Sequence, residues 1–301
     1  MLSMTHLEAG EGPCVATTRR DCMVSGSPGY QPAMDAQATL PLPSGRAHPV
    51  LGLGTWQLFQ DPVGTLAEAL RLGYRLMDTS GDYGTQRAVG EALRRSQLHR
   101  EEIFLVTKVE EDEDAYDATR RNLEELGLDY ADLMLIHRPP ASGVGEELWR
   151  GLNRARDEGL TREIGVSNYA VHQLDALAQA TGETPAVNQI EWSPFGWSRQ
   201  MLDHCRANHI LIQAYSPLTR TERLADERLA EIAADYGRTP AQILLGWNLQ
   251  LGVVPLPKAN HREHLAENLD VFDFELDEEH MHQLGALNHQ WSALGESLQY
   301  V

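Results

Sequence analysis

Eight short apolar segments separated by helical patterns constrain the fold of this chain more than any other feature of its sequence. Most of the eight are almost continuously apolar rather than alternating, a pattern typical of strands buried on both faces of a parallel sheet. The stretches between them repeat apolar residues at helical spacing, and several end close to Gly or Asn. Eight strand and helix units over about 250 residues predict an α/β fold of the (β/α)8 TIM barrel type. The predicted strands cover residues 50–54, 74–78, 103–108, 133–137, 163–168, 186–191, 210–216 and 253–258.

The domain boundaries follow from the residues before the first predicted strand. Residues 1–36 are rich in Gly, Ser, Thr and Pro without periodicity, so we expect a flexible leader, and residues 37–301 are expected to form one barrel domain. Two short apolar stretches flank Ser44 and Gly45 and predict a β-hairpin. An open dinucleotide-binding sheet is the alternative, but its candidate phosphate loop, "GLGTW" at residues 52–56, lacks the third glycine.

Charge and cysteine content restrict the possible partners. The formal net charge is −19, from 25 basic and 44 acidic residues, which argues against nucleic acid or an anionic membrane surface. No stretch reaches the roughly 18 consecutive apolar residues of a membrane span. The three cysteines, Cys14, Cys22 and Cys205, form no CxxC pair, so neither a zinc site nor a disulfide framework is indicated. We therefore expect a cytoplasmic protein that acts on a small molecule and holds no metal.

Polar residues occur at or just after the end of every predicted strand. In a (β/α)8 barrel the active site lies at the carboxyl ends of the strands. Each residue alone has an ordinary explanation as a helix cap, a turn or a packed side chain, but their joint placement indicates a site. The residues are Trp56, Asp78, Tyr83, Lys108, His137, Ser167, Asn168, Gln189, Tyr215, Ser216 and Lys258.

Four of these residues suit the reduction of a carbonyl group. A phenol with a pKa near 10 donates its proton poorly at neutral pH, and a lysine cation beside Tyr83 would lower that pKa. A buried Lys108 would need a carboxylate such as Asp78 to remain charged. His137 could then hydrogen-bond the carbonyl oxygen, and Tyr83 could protonate the developing alkoxide.

With these residues in view, the chain resembles the aldo-keto reductase family from about residue 40 to residue 276. The motifs that carry the resemblance are "PVLGLGTW", "GYRLMDTSGDYG", "TK", "LIH", "IGVSN", "NQIEWSPF", "AYSPL" and "PLPKANHREHLAENLDVF". The resemblance implies a (β/α)8 barrel with an N-terminal β-hairpin cap and a catalytic tetrad. In that tetrad Tyr83 is the general acid, Lys108 lowers its pKa, Asp78 pairs with the lysine and His137 orients the carbonyl.

The resemblance also implies a binding site for NADPH and/or NADH. Ser167, Asn168 and Gln189 match the residues that hydrogen-bond the nicotinamide carboxamide, and Tyr215 matches the aromatic residue that stacks on its ring. Positions that match the pyrophosphate and adenosine contacts, together with neighbours that we count among the cofactor contacts, are Thr55, Trp56, Ser216, Leu218, Lys258, Ala259, Asn260, His264, Glu267 and Asn268.

Two departures from the family pattern bear on the choice of cofactor. Ala259 stands where many members have a serine, and His264 stands where an arginine commonly grips the 2′-phosphate of NADPH. Both changes should weaken selection for NADPH, since a mostly neutral imidazole lacks the guanidinium fork. We therefore hypothesise appreciable use of NADH, although His261 and Arg262 could compensate.

A further departure concerns the substrate pocket, which we expect to be lined by Trp56, Asp82, Glu110 and Arg138. Family members often have tryptophan at the positions of Glu110 and Arg138. A charged wall could favour hydroxylated or anionic substrates such as sugar derivatives or keto acids. The alternative is that Glu110 and Arg138 only pair with each other at the rim.

Two other functions remain open from the sequence. The same fold serves in this broad family as an auxiliary subunit of potassium channels, so a cofactor-sensing interaction module is the alternative to an enzyme. A metal-dependent barrel isomerase or aldolase is a weaker one. As an enzyme, the protein is expected to be a monomer that reduces aldehydes or ketones.

Overall fold

The computed structural model describes residues 35–295 and 297–301. Eight parallel strands form one sheet in the order β10-β9-β8-β7-β6-β5-β4-β3, and helices separate them along the chain. The backbone N–H of Gly52 donates to the carbonyl of Pro255, and that of Gly54 to the carbonyl of Pro257, both at 3.1 Å. These two hydrogen bonds join the first and last strands, so the predicted (β/α)8 barrel is confirmed.

The elements follow one another in the predicted order. The strands are β1 (Thr39–Pro41), β2 (Ala47–Pro49), β3 (Leu53–Gly54), β4 (Leu76–Asp78), β5 (Phe104–Val109), β6 (Ala131–Ile136), β7 (Thr161–Ser167), β8 (Val187–Glu191), β9 (Leu211–Tyr215) and β10 (Val254–Pro255). The helices are α1 (Pro62–Leu72), α2 (Gln86–Ser96), α3 (Ala115–Leu126), α4 (Glu146–Asp157), α5 (Val171–Thr181), α6 (Arg199–Ala207), α7 (Glu227–Asp235), α8 (Pro240–Gln250), α9 (Arg262–Leu269) and α10 (Glu278–Gly285).

The two strands at the closing seam, β3 and β10, are shorter than their apolar segments predict. Pro255 and Pro257 have no N–H to donate, which limits regular pairing. The seam also needs glycine, because a Cβ on Gly54 would lie 2.9 Å from the carbonyl oxygen of Leu256, and one on Gly52 would lie 2.5 Å from Leu76. The "GLG" segment therefore allows the ends of the sheet to meet.

The predicted hairpin closes the amino-terminal end of the barrel. Strands β1 and β2 pair antiparallel, and the N–H of Leu42 donates to the carbonyl of Arg46 at 2.9 Å across the turn. The side chain of Leu42 packs in one buried cluster with Leu76 and Phe104, which are the first residues of β4 and β5. The carboxyl ends of the strands are left for the site.

The segment after α10 packs on the loop that follows β8. The carbonyl of Phe195 accepts hydrogen bonds from the N–H groups of His289 and Trp291, both at 3.1 Å. The carboxylate of Glu191 accepts 2.6 Å hydrogen bonds from the hydroxyl of Ser292 and the N–H of Ala293. These contacts place the C-terminal tail beside the end of β8.

Within the described residues, no helix combines the length and the apolar character needed to cross a membrane. The predicted leader, residues 1–36, lies outside the described residues except for its last two positions.

Candidate active site

Lys108 and Asp78 form a buried ion pair at the carboxyl ends of adjacent strands. Asp78 ends β4 and Lys108 is the fifth residue of β5. The ammonium donates to Asp78 Oδ1 and to the carbonyl of Thr79, both at 2.8 Å. The side chain of Lys108 is 0% exposed and that of Asp78 is 5% exposed. Since an unpaired buried cation is costly, this carboxylate is the partner that a buried lysine needs.

Tyr83 lies next to this ion pair, and His137 lies next to Tyr83. Tyr83 ends a short 3-10 helix, Gly81–Tyr83, directly after β4, and the Lys108 ammonium lies 4.8 Å from the centre of its ring. His137 follows β6, and its ring centre lies 5.8 Å from that of Tyr83 in an edge-on arrangement. The structure thus brings together the four residues that the sequence selects.

The pKa of Tyr83 lies well above its usual value near 10, whereas the sequence predicted a lowered one. Burial of the phenol is the main cause, and the negative charges of Asp78, Asp82 and Glu110 add to it. The ammonium of Lys108 donates hydrogen bonds to Asp78 and to the Thr79 carbonyl, and it contacts Tyr83 only at the face of its ring. The net pKa of Tyr83 is therefore raised and not lowered, since burial and then the surrounding carboxylates determine its direction.

His137 is held by a carboxylate that the sequence placed in the substrate pocket. Its Nδ1 lies 2.8 Å from Oε1 and 2.9 Å from Oε2 of Glu110. The backbone is fixed as well, since the His137 N–H donates to the carbonyl of Val109 at 2.9 Å and the Asn168 amide donates to the His137 carbonyl at 3.1 Å. Burial raises the pKa of Glu110, but the hydrogen bond and charge of His137 outweigh it, and the net pKa is lowered.

The other charged residues of the predicted pocket surround this pair. Arg138 Nη1 lies 3.6 Å from Glu110 and 3.7 Å from Glu111, so the predicted rim pairing is present, although Glu110 makes its shorter contacts with His137. Asp82 Oδ1 lies 3.8 Å from His137 Nδ1, and the Asp82 side chain is 41% exposed. In the described part of the chain, potential ligand atoms of Asp82, Glu110 and His137 lie within 4.8 Å of one another.

The residues predicted to hold the nicotinamide form one hydrogen-bonded group. Tyr215 donates from its hydroxyl to Asn168 Oδ1 at 2.9 Å, and Ser167 donates to the carbonyl of Gln189 at 2.7 Å. The amide nitrogen of Gln189 donates to Asp78 Oδ1 at 2.7 Å and to Gln213 Oε1 at 2.8 Å. Both its hydrogens are used inside the barrel, which leaves Gln189 Oε1 to accept from a ligand amide.

The segment predicted to hold the pyrophosphate has an unusual backbone. Ser216 has a φ of 48°, and Thr219, Arg220 and Thr221 have φ values of 53°, 49° and 72°. Left-handed conformations are uncommon for such residues and often occur at ligand-binding segments. The guanidinium of Arg220 lies 4.4 Å from the ring centre of Trp56, so this segment meets the loop after β3, where Thr55 and Trp56 were predicted to contact the cofactor.

The adenosine end of the predicted cofactor site contains two buried polar atoms without partners among the described residues. They are Oδ1 of Asn260, in the loop before α9, and Nδ2 of Asn268, within α9. Buried polar atoms are seldom left unpaired, so an acceptor and a donor here fit a bound ligand rich in polar groups. Nearby, Lys258 is exposed and Ala259 is buried, and His264 Nδ1 lies 3.2 Å from Glu267 Oε2.

A buried polar chain that the sequence did not reveal links this site to the opposite end of the barrel. Gln213 receives the hydrogen bond from Gln189 and donates from its own amide nitrogen to His48 Nε2 at 2.8 Å. Gln189 and Gln213 are register partners on β8 and β9. A glutamine at the centre of each of these two strands was the available signal, but the partner in β2 is 165 residues away in sequence.

Comparisons with known proteins show which proteins this chain is similar to. The model of the Aldo/keto reductase family matches residues 50–289. An aldo-keto reductase of Mycobacterium tuberculosis is 42% identical over 260 residues, which are 84% of this chain and 92% of the relative. A solved aldo/keto reductase of Brucella melitensis is 36% identical with a TM-score of 0.78, covering 83% of this chain and 98% of that one. A Bombyx mori aldo-keto reductase in complex with NADP is 30% identical with a TM-score of 0.82, covering 87% and 95%.

Proposed function

Because the chain belongs to the aldo-keto reductase family, we propose that it reduces an aldehyde or ketone to an alcohol with NADPH or NADH through Tyr83, Lys108, Asp78 and His137. The observation that carries this assignment is the buried pair of Lys108 and Asp78 beneath the ring of Tyr83. A buried ion pair is costly to desolvate, and its position beside a phenol that in turn lies next to an imidazole suits the stabilisation of an alkoxide.

A bound reduced nicotinamide supplies the hydride for such a reaction. Tyr83 holds the proton that goes to the carbonyl oxygen, and its raised pKa keeps the hydroxyl protonated throughout the neutral range. As negative charge develops on the oxygen, His137 donates a hydrogen bond and the Lys108 cation stabilises the charge. Oxidation of the alcohol would need the phenolate as a base, so we propose that reduction is the favoured direction.

The cofactor would lie over the ends of β7 to β10. The free acceptor of Gln189 and the stacking face of Tyr215 support the nicotinamide end, and the unpaired atoms of Asn260 and Asn268 support the adenosine end. The Bombyx mori relative was solved with NADP, which is the same class of cofactor. Ser216, which has a left-handed backbone, and Leu218 would hold the pyrophosphate between these ends.

We propose that NADH is used appreciably. Arg262, which could have replaced the missing phosphate-binding arginine, donates from Nε to Glu68 at 2.6 Å. Ala259 offers no hydroxyl, and His264 is paired with Glu267. The test is kcat/KM for NADH and NADPH under identical conditions: values within about tenfold support the proposal, and a preference for NADPH above about a hundredfold contradicts it.

We also propose that the substrate is neutral and hydroxylated. Asp82 and Glu110 supply two carboxylates to the predicted pocket wall, and Glu111 lies 3.7 Å from Arg138, which supplies one guanidinium. An excess of negative charge disfavours keto acids, which the sequence left open, and carboxylates accept hydrogen bonds from hydroxyl groups. A rate comparison between a hydroxyaldehyde and a keto acid of similar size distinguishes the two classes.

A Tyr83→Phe variant tests the proposed reaction. The matched control is Tyr116→Phe, which removes an exposed hydroxyl bonded to Glu158. We expect Tyr83→Phe to bind the cofactor as the wild type does, measured by quenching of tryptophan fluorescence, but to lose at least about a hundredfold in kcat. Cofactor binding without turnover in the wild type would instead indicate the cofactor-sensing module, which gains no support from the relatives described above.

Oligomeric state and location are the last two properties that we propose. We propose a monomer acting in a reducing cytoplasm, supported by the low cysteine content and by the burial of Cys205, whose thiol is free. The net charge of −19 supports a small-molecule partner rather than nucleic acid.

A further inference from the structure

The buried polar chain from the amino-terminal hairpin to the predicted nicotinamide site consists of His48, Gln213, Gln189 and Asp78. All four residues are buried. Gln213 and Gln189 lie at the centres of the adjacent strands β9 and β8. The hydrogen bond from Gln189 to Asp78 joins β8 to β4, which are not neighbours in the sheet. The polar chain therefore crosses the interior of the barrel.

The end of the polar chain at Asp78 determines how the Gln189 amide is turned. Asp78 Oδ1 accepts hydrogen bonds from the Lys108 ammonium at 2.8 Å and from Gln189 at 2.7 Å, so the nitrogen of the amide faces it. The second hydrogen of that nitrogen points to Gln213 Oε1 at 2.8 Å. Since its oxygen accepts from Gln189, the Gln213 amide turns its own nitrogen toward His48.

The end of the polar chain at His48 requires the same direction. His48 Nδ1 lies 2.8 Å from the carbonyl oxygen of Pro49, which can only accept, so the ring proton is on Nδ1. Burial lowers the pKa of His48 to about 4, so the ring is neutral near pH 7 and Nε2 is an acceptor. It accepts from Gln213 Nε2 at 2.8 Å. Both ends therefore select one orientation for the two glutamine amides between them.

This orientation leaves one acceptor for a ligand. Both hydrogens of Gln189 Nε2 are engaged, so Oε1 is the atom of that amide that remains. Ser167, the other predicted carboxamide contact in the sheet, is the register partner of Gln189 on β7. The carboxamide of a nicotinamide carries an NH2 group, which is the donor that such an acceptor needs.

We propose that Gln213 and His48 are positioning residues of the cofactor site, which hold the Gln189 amide with Oε1 toward the carboxamide NH2 of the nicotinamide. This proposal rests on the function proposed above. Both residues act through Gln189, and His48 does so from the hairpin at the opposite end of the barrel. An acceptor that is already oriented loses less freedom when the cofactor binds, so the affinity for the carboxamide depends on the polar chain.

The test uses cofactors that lack this NH2 group. NADPH and NADH are each compared with the 3-acetylpyridine analogue, in which a methyl ketone replaces the carboxamide, and Kd is measured by quenching of tryptophan fluorescence. We expect the wild type to bind the parent cofactor at least about fivefold more tightly than its analogue. Gln213→Leu should reduce this ratio of Kd values by at least about threefold, toward the ratio for Gln189→Leu, which lacks the acceptor. A purely structural role would weaken both cofactors alike and leave the ratio unchanged.

Three further variants separate positioning from a general loss of stability. Gln213→Leu leaves His48 Nε2 without a donor, whereas the double variant with His48→Phe replaces both partners by apolar groups, which is milder for the fold. The double variant should show the same reduced ratio. His48→Gln keeps an acceptor for Gln213 and should retain the wild-type ratio. The matched control Gln250→Leu removes two hydrogen bonds to the backbone of Leu276, between α8 and the segment before α10, and should also retain it.

The ratio of Kd values decides between the outcomes. A ratio near one in the wild type, a wild-type ratio in the double variant, or an equally reduced ratio in Gln250→Leu overturns the proposal. If the wild type reduces carbonyls while the ratio is unchanged in the double variant, the positioning role alone fails. If the wild type binds neither NADPH nor NADH, the proposed function fails and the positioning role fails with it.

Discussion

His48 makes the stability of the barrel depend on pH in a way that can be worked out from its contacts. It lies in β2, fully buried beneath the strands, with its ring centre 4.4 Å from that of Phe104. Its Nδ1–H donates to the carbonyl of Pro49, and Nε2 accepts from Gln213, both at 2.8 Å. Burial lowers the pKa of His48 from 6.5 to about 4, and the backbone hydrogen bonds offset this only in part.

The magnitude follows from the difference between the folded and unfolded chains. In the unfolded chain the imidazole takes up its proton near pH 6.5, whereas in the fold it stays neutral down to about pH 4. The stability that depends on the neutral ring is therefore complete above pH 6.5 and is lost as the pH falls toward 4. At about 1.36 kcal/mol per pH unit, the full loss is about 3 kcal/mol, of which about 2 kcal/mol is lost by pH 5.

The assay is the free energy of unfolding in urea at several pH values for the wild type and for His48→Gln. Glutamine can donate and accept at this position but does not titrate. The other titrating groups contribute alike to both proteins, so the difference between the two curves isolates His48. We expect the wild type to lose about 2 kcal/mol more than the variant between pH 7 and pH 5. Parallel curves over that range would refute the account.

Two further substitutions test the packing of the site. Asp78→Asn leaves the ammonium of Lys108 buried without its carboxylate, so the free energy of unfolding in urea should fall by about 3 to 5 kcal/mol. The control Asp82→Asn, at an exposed position, should change that free energy by less than about 0.5 kcal/mol. Equal effects of the two substitutions would contradict this expectation. Gly196→Ala would place a Cβ 2.0 Å from the carbonyl oxygen of Trp291, so limited proteolysis should cleave the C-terminal tail faster than in the wild type, and unchanged cleavage would show that the tail is not held there.

The sequence predicted the barrel because the fold depends on patterns of local periodicity. All eight apolar segments became strands, and the hairpin around Ser44 and Gly45 formed as expected. The boundaries of β3 and β10 were less predictable, since they depend on how Gly52 and Pro255 meet at the seam. That meeting joins residues from opposite ends of the sheet.

The electrostatics of the site could not be predicted in the same way. Lys108, Asp78 and Tyr83 were identified correctly as neighbours, but the sign of the Tyr83 pKa shift depends on its burial and on every nearby carboxylate. Glu110 was expected either to meet the substrate or to pair with Arg138, and its contact with His137 appears only when β5 and β6 lie side by side. Motifs identify such residues, whereas distances decide their charge states.

Transfer of a labelled hydride from the cofactor to the substrate tests the proposed reaction. Wild-type protein is mixed with NADPH or NADH carrying deuterium at the transferable position, together with a small hydroxyaldehyde, and the alcohol is examined by mass spectrometry and NMR. We expect an alcohol with one deuterium on the former carbonyl carbon, formed by the wild type and not by Tyr83→Phe. Absence of labelled alcohol across a panel of aldehydes and ketones, or equal labelling by Tyr83→Phe, would contradict it.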